Sequence, residues 1–265
     1  MTDTLIGHSG FVGSTLLRQR PFDALFRSTN IEDIKGREFD LVVCAGAPAQ
    51  KWLANKNPEA DRLAIERLTR CLEEIQARRF VLISTVDVFK DPIGVDEATP
   101  ADTVGLHAYG LHRHMLETFV QSHFAQHLIV RLPGLVGPGL RKNVIFDFLN
   151  DNNLHAVDSR GVFQFYPMVN LWYDVSKALD EGLNLLHLTS EPVSVGDIAR
   201  LAFNREFTQA LPSHPARYDM RSRYAALFGR EGHYPYSRDD SLLAIRAYAQ
   251  SEPRQLKGDP HSEAT

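Results

Sequence analysis

Cysteine is scarce in this chain: Cys44 and Cys71 are the only two in 265 residues. Two thiols cannot make a disulfide framework, which points to a reducing compartment and so to the cytoplasm. Positive charge is not in excess either. Twenty-nine Lys and Arg against 33 Asp and Glu leave a net charge of −4 at pH 7, with no basic run to offset it, so nucleic acid is not an expected partner. No apolar run has the length of a membrane span. The opening MTDTLIG lacks the basic-then-apolar order of a signal peptide. Repeats and low-complexity linkers are also missing. What is present is an ordinary globular composition, 43% hydrophobic and 23% charged. The length suits one large α/β domain, or one domain with a small lobe attached.

Apolar runs and helical spacings alternate along the first half. DTLIG reads as a short strand entering glycines, and FVGSTLLRQR after it has helical spacing. ALFRS is a second strand, and DLVVCAG has the continuous apolar character of a strand buried on both faces. Pro58 opens a crossover helix marked by Ala64, Leu68, Leu72 and Ile75. RFVLIST, a helix beginning near Tyr109, and HLIVRLPGLVG follow. Beyond Gly139, GLRKNVIFDFLNDNNL reads as helix and loop, NLLHLT as a late strand, and SVGDIARLAF as a helix opened by Ser194 with Asp197 three residues on. Residues 211–236 show no clean period. This alternation predicts a doubly wound parallel α/β sheet, a Rossmann fold, over residues 1–139. A small irregular C-terminal substrate lobe is expected over 140–250, with the strand at 184–189 returning to the first sheet, and a flexible tail over 251–265.

Four stretches have the makings of a site. Gly7, Ser9, Gly10, Phe11, Val12 and Gly13 form a G-x-x-G-x-x-G turn between a strand and a helix, where backbone N–H groups and a helix N-terminus suit a dinucleotide pyrophosphate. The second strand ends in Phe26-Arg27-Ser28 rather than in Asp or Glu. Arg27 and Ser28 suit a ribose 2′-phosphate better than a free 2′-hydroxyl, so NADP is expected, with NAD left open. Tyr109 and Arg113 lie one helical turn apart, placing a phenol beside a fixed positive charge. His107, His112 and His114 are expected to be solvated rather than to hold a metal, since no ordered carboxylate joins them. In the lobe, Tyr218, Arg221 and Arg223 could grip an anionic substrate or could be a helix surface.

In chain order, the glycine turn, CAGAP, VLISTVDVF, AYGLHR and RLPGLVGPG resemble the extended short-chain dehydrogenase/reductase family, over about residues 4 to 203. STVDVF is most similar to the dTDP-4-dehydrorhamnose reductase branch, where S-T-x-x-V-F recurs. Members of the family bind NAD(P) and mostly act on nucleotide sugars. The resemblance implies that Thr85 orients a substrate carbonyl, that Tyr109 is the acid/base, and that Arg113 stands where the family has lysine. It also places Ala45, Gly46, Ala47 and Pro133 with the glycine turn, Tyr109 and Arg113 among the cofactor contacts. Val86 replaces the acidic residue that a dehydratase carries, while Asp87 keeps an acid/base role open beside that of a strand-end aspartate bonded to its own turn. Gly134 replaces the asparagine usual beside a nucleotide diphosphate.

The chemistry of the residues agrees with those roles. Reduction of a ketone needs a proton donor, and a phenol near pKa about 10 is a poor one at neutral pH unless a cation favours phenolate. Arg113 is expected to lower the Tyr109 pKa in this way, but it stays protonated and cannot relay a proton as lysine can. The expectation is an NADP(H)-dependent oxidoreductase or epimerase acting on a ketone or alcohol of an anionic, sugar-derived small molecule. A homodimer is left open. The alternative is a non-catalytic NADP-binding regulator on the same fold.

Overall fold

The computed structural model describes residues 2–255. Its frame is a six-stranded, wholly parallel sheet built from β1 (Asp3–Ile6), β2 (Ala24–Phe26), β3 (Glu38–Cys44), β4 (Gln76–Thr85), β6 (His127–Leu132) and β10 (Leu185–His187), with β5 (Ile93–Val95) lying outside it. The spatial order is β2–β1–β3–β4–β6–β10. Leu5 of β1 sits opposite Leu25 on one side and Val43 on the other, and Val81 of β4 sits opposite Leu128 of β6. Strands this apolar need cover on both faces, and they have it. On one face pack Ile65, Leu68 and Leu72 of α3 (Pro58–Leu72) with Leu116 and Val120 of α4 (Ala108–His123). Leu16 of α1 (Phe11–Gln19) and Leu171, Val175 and Ala178 of α6 (Leu171–Asp180) cover the other. The chain thus winds to opposite sides from β1, and the turns after β1 and β3 part at the carboxyl edge, where doubly wound sheets bind ligands.

The rest of the chain forms a lobe over that edge. Pro133 ends β6, and β7 (Gly134–Val136) leaves the main sheet to pair in parallel with β9 (Phe165–Pro167). The single strand read from HLIVRLPGLVG is therefore two strands in two sheets, because proline lacks the N–H that a continuing ladder needs. Two-residue strands β8 (Val162–Phe163) and β11 (Val193–Ser194) pair with each other, and β12 (Asp219–Met220) pairs with β5. Helices α5 (Val144–Asn150), α7 (Val195–Phe203) and α8 (Arg238–Ser251) enclose a separate apolar cluster with Val136, Phe165 and Val193. Ser194 caps α7 by accepting from Asp197 N–H at 3.1 Å. Helix α8 escaped the sequence reading, although Ser237 and Asp240 form a reciprocal capping box at its start. Short α2 (Lys51–Lys56), also unanticipated, fills the connection between β3 and α3. Ser251, where the tail was expected to begin, still closes α8, and residues 256–265 lie outside the described residues. No described helix is long and apolar enough to cross a membrane.

Two buried carboxylates tie the layers together. Glu117 of α4 takes Arg131 of β6 at 2.7 Å and the Ser84 hydroxyl at 2.5 Å, tying helix to sheet beneath the site. Asp174 of α6 accepts from the Tyr166 and Tyr236 hydroxyls at 2.5 and 2.7 Å, joining the main sheet's cover to the lobe. Burial pushes its carboxyl up to about 6, against the pull of both tyrosines and of Lys177. A folded-state pKa above the unfolded value of about 3.9 favours the folded state most in acid, and that contribution is lost as pH rises through about 6. Asp174→Asn is therefore expected to gain stability on the wild type at about pH 7.5, and the gain should shrink to nothing near pH 4. Urea denaturation at several pH values would show it; a pH-independent difference would refute it.

Candidate active site

The glycine turn sits where β1 meets α1, and two of its glycines are demanded by space. Gly7 has φ of 85°, and a Cβ there would stand 2.3 Å from the Ala45 carbonyl oxygen. A Cβ on Gly13 would stand 2.1 Å from the Gly7 carbonyl oxygen, so α1 rests directly on the turn. Gly10 caps α1 with no side chain, and it is exposed along with Ser9. The N–H groups of the first turn, from Phe11 to Gly13, are thereby presented at the carboxyl edge of the sheet. Ala45, Gly46 and Ala47 run alongside, with Gly46 closed against the Ile6 side chain. At the end of β2, Arg27 and Ser28 are exposed, and Arg27 Nε donates to Thr29 Oγ1 at 3.0 Å. Glu32, nearby in sequence, is engaged with Lys35 and Arg67.

Tyr109 arrives from α4. The helix is capped by His107, whose Nδ1 accepts from Gly110 N–H at 3.0 Å. Gly110 permits contact, because a Cβ there would stand 2.0 Å from the Asp87 carbonyl oxygen in the turn after β4. That contact sets Tyr109, 9% exposed, against the turn that follows Thr85 at the end of β4. Thr85 Oγ1 accepts from Asp87 N–H at 3.2 Å and lies 3.4 Å from the Asp87 carboxylate. Asp87 is thus bonded to its own turn and open to the hydroxyl pair at once.

The protonation of Tyr109 departs from the sequence expectation. Burial raises its pKa more than the Arg113 charge lowers it; Asp87 adds to the rise, while Lys51 and the Thr85 hydrogen bond oppose it. The net direction is upward, so Arg113 moderates the phenol without making it acidic overall. Arg113 itself is buried. Its guanidinium lies 4.0 Å over the Tyr109 ring, donates to the Tyr109 carbonyl at 3.3 Å, and is fixed by close bonds to Asp61 and to the Pro48 carbonyl. Asp61 also holds His112 Nδ1 at 2.7 Å. The solvated histidines expected from the sequence are corrected here: His112 is buried in that pair, His107 caps α4, and His114 lies 3.5 Å from Glu117. Among the described residues no group of His, Cys, Asp and Glu could hold a metal ion.

Lys51 went unnoticed in the sequence because it sits on a helix too short to show a period. Its ammonium lies 2.6 Å from Asp87 Oδ1 and 3.3 Å from the Tyr218 hydroxyl. Tyr218 comes from the lobe, placed by the pairing of β12 with β5, and its hydroxyl is 3.4 Å from Asp87. The lobe therefore closes the hydroxyl cluster from above. Arg221 is turned onto Asp219 at 2.8 Å, and Arg223 is exposed with its N–H on Glu97. Neither arginine has Tyr109, Thr85 or Asp87 among its partners. Lys142 instead reaches from the lobe to the Ala49 carbonyl, and burial followed by the Arg113 charge pushes its pKa down.

No protein-family model matches the chain, and no curated protein matches it in sequence. Solved structures share its fold along nearly the whole length. RMD from Pseudomonas aeruginosa, complexed with NADPH, superposes with a TM-score of 0.70 at 16% identity, covering 95% of this chain and 99% of that one. A dTDP-4-dehydrorhamnose reductase from Bacillus anthracis, in complex with NADP, gives 0.73 at 14% identity, covering 95% and 100%. A dTDP-glucose 4,6-dehydratase from Streptomyces venezuelae, DesIV as a double mutant with NAD bound, gives 0.72 at 15% identity, covering 95% and 98%. At such identities the likeness establishes the fold.

Proposed function

We propose that this Rossmann-fold chain is an NADP(H)-dependent oxidoreductase or epimerase of extended short-chain dehydrogenase type, acting on a ketone or alcohol of a sugar-derived, anionic small molecule. The observation that carries this reading is the packing of α4 at Gly110 on the Thr85–Asp87 turn, which brings Tyr109 to the carboxyl end of β4, in the same edge as the glycine turn. The fold's other holders support it, since they include reductases, epimerases and a dehydratase of sugar nucleotides, solved with NADPH, NADP or NAD. The cradle fits a dinucleotide: no side chain could stand at Gly7 or Gly13, and the α1 N-terminus is open for phosphate. Gly7, Ser9, Gly10, Phe11, Val12 and Gly13 would hold the pyrophosphate, with Ala45, Gly46, Ala47 and Pro133 nearer the nicotinamide. Bound NADPH would supply the hydride. The chain's own part is to hold the carbonyl oxygen between the Thr85 and Tyr109 hydroxyls, to deliver the Tyr109 proton to it, and to close the lobe over it with Tyr218. Arg113 keeps the Tyr109 ring and the 45–50 loop in place through Asp61 and Pro48. Arg221 and Arg223 would meet the anionic end of the substrate from the rim of the lobe.

The regulator reading draws on one observation, that both terminal nitrogens of Arg113 bond protein partners, Asp61 and the Pro48 carbonyl. Oxidation of NADPH by nucleoside-diphosphate-linked 4-ketohexoses separates the two, because a regulator binds the cofactor without turnover. Cofactor choice is tested separately. With Arg27 and Ser28 exposed where an acidic residue would select NAD, NADPH should bind more tightly than NADH, and Arg27→Asp should reverse the order. Calorimetric titration of both cofactors would settle it, and tighter NADH binding by the wild type would refute it.

A further inference from the structure

The site contains two cations near Tyr109, and they differ in what they can do. Arg113 is buried, fixed by Asp61 and Pro48, and cannot release a proton at any ordinary pH. Lys51 is partly open to solvent, with 39% of its side chain exposed. Its ammonium touches Asp87 at 2.6 Å; the other Asp87 oxygen lies 3.4 Å from the Thr85 hydroxyl; and Gly110, packed against the Asp87 carbonyl, brings the neighbouring Tyr109 to the side of this turn. Every member of that row carries an exchangeable proton or can accept one.

We infer that Lys51, acting through Asp87 and Thr85, is the positioning residue that returns a proton from solvent to Tyr109, the step that arginine at position 113 cannot serve. The inference rests on the reading of Tyr109 as the acid. Once Tyr109 has given its proton to the carbonyl oxygen, the Lys51 ammonium gives a proton to the Asp87 carboxylate; the acid so formed turns its O–H to Thr85 and protonates that oxygen as the Thr85 hydroxyl proton passes to the phenolate. The neutral Lys51 amine then takes a proton from water, leaving hydroxide in solution and every side chain as it began. Burial lowers the Lys51 pKa, but Asp87 and Tyr218 raise it further, so the group stands protonated at neutral pH and ready to donate. The charged and titratable groups around the row are Arg113 and His107 from the α4 side and Tyr218 from the lobe. His107 is held below its ordinary pKa by burial and by Lys51, so it brings no competing charge.

The decisive variant is Lys51→Arg, which keeps the charge and hydrogen bonds but withholds the proton. With NADPH and thymidine-, uridine- or guanosine-diphosphate-linked 4-ketohexoses as probes, Lys51→Arg and Lys51→Ala should each lose at least about tenfold in kcat while NADPH binding stays at the wild-type level. Added ethylammonium should restore turnover in Lys51→Ala, in proportion to its protonated form. Wild-type turnover by Lys51→Arg overturns the inference, as does failure of every amine to rescue Lys51→Ala. Tyr109→Phe run alongside isolates the underlying reading. If that variant turns over like the wild type, or if the wild type oxidises NADPH with none of the probes, the Tyr109 reading falls and takes the inference with it.

Discussion

Tyr109→Phe is expected to bind NADPH like the wild type and to lose turnover by about a hundredfold to ten-thousandfold. The substitution removes one oxygen from a ring that is 9% exposed and covered by the Arg113 guanidinium at 4.0 Å, so the packing that seats α4 on the turn after β4 stays intact. What goes is the hydroxyl proposed as the proton donor. The phenol's pKa is pushed upward by burial, with Arg113, Lys51 and Thr85 only partly opposing, so in the unliganded protein the proton is held at neutral pH. A held proton suits an acid that must still have it when a ketone arrives. The sign of the pH dependence follows: reduction should persist through neutral pH and fall only in alkali, where the phenol ionises and can no longer donate. Steady-state NADPH oxidation across pH, compared with calorimetric cofactor binding, checks both parts. Wild-type kcat in the phenylalanine variant would remove Tyr109 from the chemistry.

The parts legible in the sequence are those set by local rules. The strand-glycine-helix turn was readable because Gly7 takes a positive φ and Gly13 rests on the Gly7 carbonyl, both demands made within the turn itself. The inner strands were readable because burial on both faces makes their apolar runs continuous. Tyr109 and Arg113 were readable as a helical pair, but the sense of their interaction was not. It depends on Asp61, 52 residues from Arg113, and on desolvation of the phenol by the packed site. Lys51 was out of reach for the same reason, as was its meeting with Tyr218: the two come together at Asp87 only because α2 and the β5–β12 pair converge on it. Neither α2 nor β12 is long enough to announce itself by periodicity. How Arg221 and Arg223 are held was equally out of reach: Asp219 takes the Arg221 side chain and Glu97 the Arg223 backbone N–H, both set by tertiary placement.

Asp61→Ala is expected to cost about 3–5 kcal/mol of stability, because it leaves the Arg113 charge buried without its carboxylate. Both side chains are nearly closed to solvent, 4% exposed for Arg113 and 5% for Asp61, and His112 loses its partner in the same stroke. At about 2–4 °C per kcal/mol for a domain of this size, the melting midpoint should fall by roughly 10 °C. Glu59→Ala on the same helix makes the control. Its pair with Arg62 is exposed, and its loss should leave the midpoint where it was. The pair also reaches the site, since Arg113 carries the bond to the Pro48 carbonyl and so fixes the loop after β3. Asp61→Ala should therefore weaken NADPH binding as well as stability. Asp61→Ala with Arg113→Leu separates the two effects: removing both charges should recover much of the lost stability, since no buried charge is left unpaired. It should not recover cofactor affinity, because the bond to Pro48 is gone. If the double variant bound NADPH as the wild type does, the guanidinium would have no part in shaping the cofactor loop; if Asp61→Ala melted with the wild type, the buried pair would carry none of the stability assigned to it.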